Sequence, residues 1–230
     1  MNLVLRTLYA SFLTSLRAYR RMTLDLRVWG RENIAPGPKL LVANHITSYD
    51  PFWLLSVLHE PVHVIIGPGY KSPWVAKMLD AFEHINALDG NYKTLIDSAV
   101  KYLQRGEAVA IAPEGDLHAV FQLGQFQPGV AAIYRRARVP IVPIALLAPK
   151  SGTREYPKQA QVIDGHVFRM VKTVRGPYCM NIGEPFLPDL SDGLTKKEQN
   201  DYILGAVKQK IEFLLEDARV NKFWLAADGP

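Results

Sequence analysis

Two hydrophobic rhythms alternate along most of this chain. Short runs at 40–43, 62–66, 108–112 and 141–147 are apolar at nearly every position and rich in Val and Ile, the pattern of strands buried on both faces of a sheet. Between them the polar and apolar positions predict helices at about 48–58, 73–82, 93–105 and 129–138. Strand and helix in alternation predict an α/β domain, with a largely parallel or mixed central sheet flanked by helices. Near the end, Thr195-Lys196-Lys197-Glu198 has the form of a capping box. It opens a helix whose Ile203, Val207, Ile211, Leu214 and Leu215 make one apolar stripe. Pro177 to Ile182 alternates like a strand, and Cys179 sits in it as a core residue. The Pro-, Gly- and charge-rich stretch 149–160 reads as an exposed loop.

The N-terminus has the helical period. Leu5, Leu8, Tyr9, Phe12, Leu16 and Tyr19 recur at intervals of three and four, with Arg6, Arg17, Arg20 and Arg21 interspersed or following. It lacks the unbroken apolar core and small-residue cleavage site of a secretory signal. No run approaches the roughly 18 apolar residues of a spanning helix. The expectation is an N-terminal amphipathic helix lying in a bilayer interface, with Leu5, Leu8, Phe12 and Leu16 down and Arg17, Arg20 and Arg21 on phosphates. Trp74, with Tyr70 and Met78, is expected to dip into the same interface. The alternative is a helix packed on its own domain. The chain thus divides into an interface segment, 1–31, and one domain, 32–230, without repeats or linkers.

Charge sharpens that division. Of the net +5, all lies in the first 31 residues, which hold six arginines and one aspartate; the remainder carries 21 basic and 21 acidic side chains. A basic terminal segment on a neutral body suits an anionic membrane surface met at one end. Without a basic stripe elsewhere, no nucleic-acid partner is expected. One cysteine excludes an internal disulfide and a Cys-based metal site, and suits a reducing compartment. The expected location is therefore the cytoplasmic face of a membrane, without a transmembrane helix.

His59-Glu60-Pro61-Val62-His63 matches the H-E-x-x-H string of zinc proteases, but that chemistry needs both imidazoles on one helix face. Pro61 and the strand-like run after it preclude a helix, so the match is accidental and no metal is expected. The strings of a nucleophile elbow, a Walker loop and a dinucleotide fingerprint are absent.

The informative segment is Leu40-Leu41-Val42-Ala43-Asn44-His45-Ile46-Thr47-Ser48-Tyr49-Asp50-Pro51-Phe52. An apolar strand runs into a polar turn, Ser48 is placed to cap the next helix, and Pro51 is tolerated in its first turn. On one continuous helix His45 and Asp50 would stand about 140° apart. A turn between strand and helix can instead fold the carboxylate onto the imidazole. Such a carboxylate fixes the tautomer and raises the basicity of the other ring nitrogen, as a general base for an alcohol requires. On these residues alone, a structural contact in a loop accounts for the pair equally well.

Asn44-His45-Ile46-Thr47-Ser48-Tyr49-Asp50 resembles the N-H-x-x-x-x-D block of the PlsC-type glycerolipid acyltransferases, the lysophosphatidic acid acyltransferase family. Three further blocks follow in that family's order: Val109 to Ala112 ending in Pro113-Glu114-Gly115, Gln127-Pro128-Gly129 leading to Val139-Pro140-Ile141-Val142-Pro143-Ile144, and Ile182-Gly183-Glu184-Pro185. The resemblance implies transfer of a fatty acyl group from a coenzyme A or acyl-carrier-protein thioester, a co-substrate rather than a cofactor, to a lysophospholipid hydroxyl, foremost that of 1-acylglycerol 3-phosphate. It implies His45 as general base and Asp50 as its orienting partner. Glu114 and Gly115 fall on the acceptor side, with Asn44, Ser48 and Pro113 among the substrate-binding residues. The oxyanion is expected to be held by amides near the turn.

Departures from the pattern bear on the acceptor. Asp116-Leu117 stand where Thr-Arg usually follows Pro-Glu-Gly, the stretch 85–89 has no arginine, and Gln127 replaces a lysine. Fewer bidentate donors and two added aspartates, Asp89 and Asp116, disfavour a phosphate dianion. Lys71, Lys93 or Arg135 are the candidates to compensate. The competing expectations are acylation of a non-phosphorylated or otherwise atypical lipid alcohol, and a non-catalytic lipid-binding or transfer module.

Overall fold

The computed structural model describes residues 3–89, 91–118, 122–174, 176–190 and 193–221. Helix α1 (Leu3–Thr23) leads directly into β1 (Leu24–Trp29). Alternating elements follow: β2 (Lys39–Ala43), α2 (Asp50–Val57), β3 (Val62–Ile66), α3 (Pro73–Ala81), β4 (Ile85–Asn86), α4 (Tyr92–Gln104), β5 (Ala108–Ile111), α5 (Gly129–Ala137) and β6 (Ile141–Leu147). Four three-residue strands come next, β7 (Thr153–Glu155), β8 (Gln161–Ile163), β9 (His166–Phe168) and β10 (Val171–Thr173), then β11 (Gly176–Ile182) and the long α6 (Lys196–Asn221).

Seven strands form the central sheet in the order β1-β11-β6-β2-β5-β3-β4. The β2, β3, β4, β5 and β6 ladders are parallel, β11 runs antiparallel to β6, and β1 pairs parallel with β11. The inner strands β2 and β6 are buried on both faces, as their unbroken apolar runs require. Leu40 and Val42 join a core shared with α4, α5 and α6, whereas Leu41 and Ala43 join the opposite core with α1 and α2. Cys179 is buried between Tyr178 and Met180, which face the other way. Each fully buried Leu, Ile or Val in these layers contributes about 1.5–3 kcal/mol. The capping box forms: the Thr195 amide and hydroxyl both donate to Glu198 Oε2, and the Glu198 amide returns to Thr195 Oγ1.

Two segments differ from the sequence reading. Residues 24–29, assigned with the interface segment 1–31, are an edge strand in register from Leu24↔Gly176 to Trp29↔Asn181. Leu-Asp-Leu-Arg-Val-Trp alternates at period two, a signal masked by the arginines on either side of it. The supposed loop 149–160 contains β7 between short 3₁₀ turns, and β7 pairs antiparallel with β10.

Helix α1 packs on the domain along one face. Tyr9 and Leu13 are buried, Phe12 and Leu16 pack beside them, and Tyr9 meets Phe82 edge-on at 5.2 Å. Arg17 turns inward: Nε donates to the Ser56 carbonyl at 3.2 Å and Nη2 to that of Leu58 at 2.5 Å, satisfying the carbonyls where α2 ends. Arg20 reaches Ser56 Oγ at 3.4 Å. Of the residues expected at a bilayer, Phe12, Leu16, Arg17 and Arg20 are thus engaged by the protein, and Leu5 is half-buried. Leu8, Arg21 and Trp74 are exposed. Val4, Leu8, Tyr19 and Met22 form an outward apolar stripe on α1. Among the described residues no helix is long and apolar enough to cross a membrane.

Candidate active site

The site lies at the carboxyl ends of the central parallel strands β2 and β5, where open α/β sheets present their crevice. Asn44 closes β2: its Nδ2 donates to the Leu146 carbonyl at 3.0 Å and its Oδ1 accepts the Leu146 amide at 2.7 Å. This buried amide extends the pairing of β2 with β6 past the last ladder residue. Asn44, expected to bind substrate, is therefore spent on the scaffold, and it fixes the direction in which His45 leaves the strand.

Between His45 and the first residue of α2 the chain folds back on itself. Asp50 Oδ2 accepts from His45 Nδ1 at 2.9 Å, the Ile46 amide at 2.7 Å and the Thr47 amide at 2.9 Å. Its Oδ1 accepts Thr47 Oγ1 at 2.5 Å and the Tyr178 hydroxyl at 2.7 Å. A carboxylate with five donors must stay an acceptor, so Nδ1 of His45 carries the proton and Nε2 is the basic nitrogen. Burial, and secondarily Asp50, hold the Tyr178 phenol well above its ordinary pKa, which keeps it a donor. The His45 side chain retains 23% of its exposure while Asp50 keeps only 5%, so the base reaches the surface and its partner is sealed behind it.

Glu114 supplies the second brace. Its carboxylate is fully buried; Oε2 accepts the His45 amide and Oε1 the Gly124 amide, both at 2.8 Å. Burial pushes the Glu114 carboxyl above the ordinary glutamate range, against the lowering effect of those two amides. Glu114, expected on the acceptor side, ties the β5 loop to the base through these two contacts. Pro113 is likewise buried, its carbonyl accepting the Gln127 amide at 2.7 Å. Gly115 is exposed with φ +73°, a left-handed turn that glycine adopts without strain. A Cβ on Gly124 would stand 2.1 Å from His118 Nε2, so only glycine lets that ring lie over the Glu114 clamp.

Ser48 does not cap α2, whose N-cap residue is Tyr49. Its amide donates to the Val171 carbonyl at 2.8 Å and its Oγ accepts the Val171 amide at 3.2 Å, docking β10 on the turn. Thr173 Oγ1 lies 3.2 Å from Thr47 Oγ1 and accepts Trp53 Nε1 at 2.9 Å. A groove of about 330 Å³ beside this chain is lined by Tyr19, Met22, Thr23, Leu24, Trp53, Thr173 and Val174.

These contacts consume every amide from 45 to 50: His45 on Glu114, Ile46 and Thr47 on Asp50, Ser48 on Val171, Tyr49 on Thr47 Oγ1 and Asp50 on the Thr47 carbonyl. The oxyanion donors were expected among amides near the turn, and those of residues 45–50 are already engaged. Thr47, Thr173, Tyr178, Gly124 and His118 were missed by sequence reasoning, since only the fold brings the last four to the turn. Lys71 and Lys93 are exposed after β3 and at the start of α4, and no described contact joins them to His45 or Glu114. Arg135 Nε donates to Asn200 on α6, away from the turn. His59 lies in a turn and His63 in β3, so the H-E-x-x-H string is not helical; among the described residues no group of three His, Cys, Asp or Glu could hold a metal ion.

Comparison with known proteins places the geometry in context. The Acyltransferase family model matches residues 25–147, which run from the second residue of β1 through β6 and include His45, Asp50 and Glu114. The chain is 30% identical over 147 residues to the 1-acyl-sn-glycerol-3-phosphate acyltransferase of Pseudomonas aeruginosa, covering 60% of this chain and 57% of that protein. It is 24% identical over 160 residues to a probable enzyme of the same name from Mycoplasma pneumoniae, covering 63% and 60%. The matched region thus spans less than two thirds of either relative. The crystal structure of the 1-acyl-sn-glycerophosphate acyltransferase PlsC from Thermotoga maritima has a similar fold, with a TM-score of 0.65 over 94% of this chain and 83% of that one, at 17% identity.

Proposed function

Because this chain belongs to the Acyltransferase family, we propose that it transfers a fatty acyl group from a coenzyme A or carrier-protein thioester to the free hydroxyl of a lysophospholipid, foremost 1-acylglycerol 3-phosphate. The observation that carries the reading is the His45–Asp50 pair, with Nδ1 held at 2.9 Å by a saturated carboxylate on a ring that stays partly exposed. Nε2 takes the hydroxyl proton as the oxygen attacks the thioester carbonyl. The tetrahedral oxyanion collapses, the carbon–sulfur bond breaks, and the imidazolium returns its proton to the departing thiolate. Asp50 stabilises the transient imidazolium without taking the proton. No activated serine or cysteine stands beside the pair among the described residues, so the acyl group passes directly to the acceptor.

The exposed apolar stripe of α1, with Trp74 and the basic residues near it, supports work at a membrane surface from which a lipid acceptor is drawn. The test is thiol release from an acyl thioester in the presence of 1-acylglycerol 3-phosphate and of monoacylglycerol, with the product identified by mass spectrometry. His45→Ala is expected to lower turnover by about 10²–10⁴-fold with folding intact. Turnover undiminished in that variant would refute the role of His45.

A further inference from the structure

The residues between β6 and β11 lie beyond the matched family segment and dock on the turn that holds His45 through the Ser48–Val171 pair. Residues 149–174 carry five basic and two acidic groups, a surplus of three, on the two short ribbons. The turn at 45–50 and the loop after β5 present carboxylates instead: Asp50, Glu114 and Asp116. The ribbon answers the most exposed of these. His166 Nε2 lies 3.0 Å from Asp116 Oδ2, so the ribbon turns a ring nitrogen onto the carboxylate that most opposes an anion at this rim.

Arg169, two residues before β10, donates from Nη2 to the Leu117 carbonyl. The next amide, that of His118, donates to the His45 carbonyl at 2.8 Å. Those contacts and the peptide unit between them hold the guanidinium within about 8 Å of the His45 backbone. Its position is also fixed from the other side, because Val171 is bonded through both backbone groups to Ser48. Arg169 is nonetheless exposed, and its Nε and Nη1 donors have no partner among the described residues. The neighbouring cations differ: Arg154 and Lys172 both lie over the Tyr156 ring.

We propose that Arg169 forms the phosphate subsite of the acceptor, taking the phosphomonoester of a lysophosphatidic acid through its free guanidinium edge while Nη2 stays on Leu117. A planar fork anchored at one nitrogen is pre-organised to bind phosphate oxygens with the others. In a 1-acylglycerol 3-phosphate only two carbons and an ester oxygen separate the reacting hydroxyl oxygen from phosphorus, so the counter-charge must come from the surroundings of the base, and Arg169 is tied through one peptide unit to the backbone of His45. The inference rests on the proposed acyl transfer. It supplies from the C-terminal ribbon the arginine missing from the stretch 85–89 and from the positions after Gly115.

The experiment compares wild type, Arg169→Gln and Arg169→Lys with the same acyl thioester and either 1-acylglycerol 3-phosphate or monoacylglycerol. Glutamine keeps a donor for Leu117 but no charge, so the loop is preserved. The expected result is a KM for the phosphorylated acceptor about 10–100-fold higher in Arg169→Gln, with an unchanged KM for the thioester, unchanged kinetics with monoacylglycerol, and partial recovery in Arg169→Lys. A KM for the phosphorylated acceptor within twofold of wild type would overturn the assignment. So would an equal loss of kcat with both acceptors, the signature of a purely structural contact. If Arg169→Gln fails to fold, Arg169→Lys decides: a wild-type KM for the phosphorylated acceptor at unchanged melting temperature excludes a bidentate subsite. A wild-type protein that acylates neither acceptor would overturn the proposed function itself. Turnover of the phosphorylated acceptor that ignores Arg169 would overturn the subsite alone.

Discussion

The substitution Asp50→Asn separates the charge of the carboxylate from its shape. With its amide oxygen in the place of Oδ2, the asparagine side chain would still accept from His45 Nδ1, Ile46 and Thr47. Its amide nitrogen would then face Thr47 Oγ1 and the Tyr178 hydroxyl, two groups that can rotate and accept. The turn therefore survives, at a cost of about 1–2 kcal/mol for the weaker neutral hydrogen bonds and a melting temperature lower by no more than about 8 °C. What disappears is the attraction between the carboxylate and the imidazolium formed as His45 takes the proton. At roughly 4 Å between charge centres and an effective dielectric constant near 20, that attraction is about 4 kcal/mol. The corresponding loss in kcat is about 10³-fold. Steady-state thiol release measured beside thermal unfolding checks both numbers. A kcat within tenfold of wild type at preserved melting temperature would show that Asp50 holds the turn without supporting the base.

Two further substitutions test the supporting structure. Arg17→Ala removes both donors from the carbonyls of Ser56 and Leu58 and is expected to destabilise the fold by about 1–3 kcal/mol while leaving vesicle binding unchanged in a flotation assay. Vesicle binding lost at unchanged stability would instead place that guanidinium on lipid. His84 is buried with its Nδ1 accepting the Val64 amide, and burial, followed by the nearby His63, lowers its pKa to about 4. A histidine whose folded pKa lies below the unfolded value of about 6.5 leaves stability intact above pH 6.5. As pH falls from 6.5 to 4 the unfolded chain takes up the proton first, and stability declines by about 3 kcal/mol. In His84→Asn, whose side-chain oxygen can replace Nδ1 as acceptor, urea midpoints over that window should flatten; a slope parallel to wild type would exonerate His84.

The architecture was readable wherever a strand is buried on both faces. Runs such as 62–66 and 141–147 leave no choice of face to conceal, and their boundaries coincide with β3 and β6. The elements that escaped are those whose stability is borrowed. Strand β1 is exposed on alternate residues, and its Asp25 and Arg27 pair with each other at 2.9 Å, so its composition resembles the charged end of a helix. The three-residue strands β7 and β10 are too short to have a hydrophobic period, and they are held by each other and by Ser48. Propensity and pattern are silent about an element that exists because of its partner.

The same reasoning explains which site roles could be read. His45 and Asp50 lie five positions apart, and a strand running into a helix forces a turn between them, so their meeting follows from local geometry. Asn44, Ser48, Pro113 and Glu114 belong to the same blocks, yet the structure spends each on the framework. A parallel strand that ends inside the molecule leaves polar backbone groups without a ladder, and these must find partners before any substrate arrives. Asn44 serves Leu146, Ser48 serves Val171, and Glu114 serves His45 and Gly124. Once the amides from 45 to 50 are consumed in this way, the turn can hold a base but has no backbone donor left for an oxyanion or a phosphate. Further backbone donors must therefore arrive from other segments. Their positions depend on packing between β5, β10 and α2, which no spacing within a motif encodes.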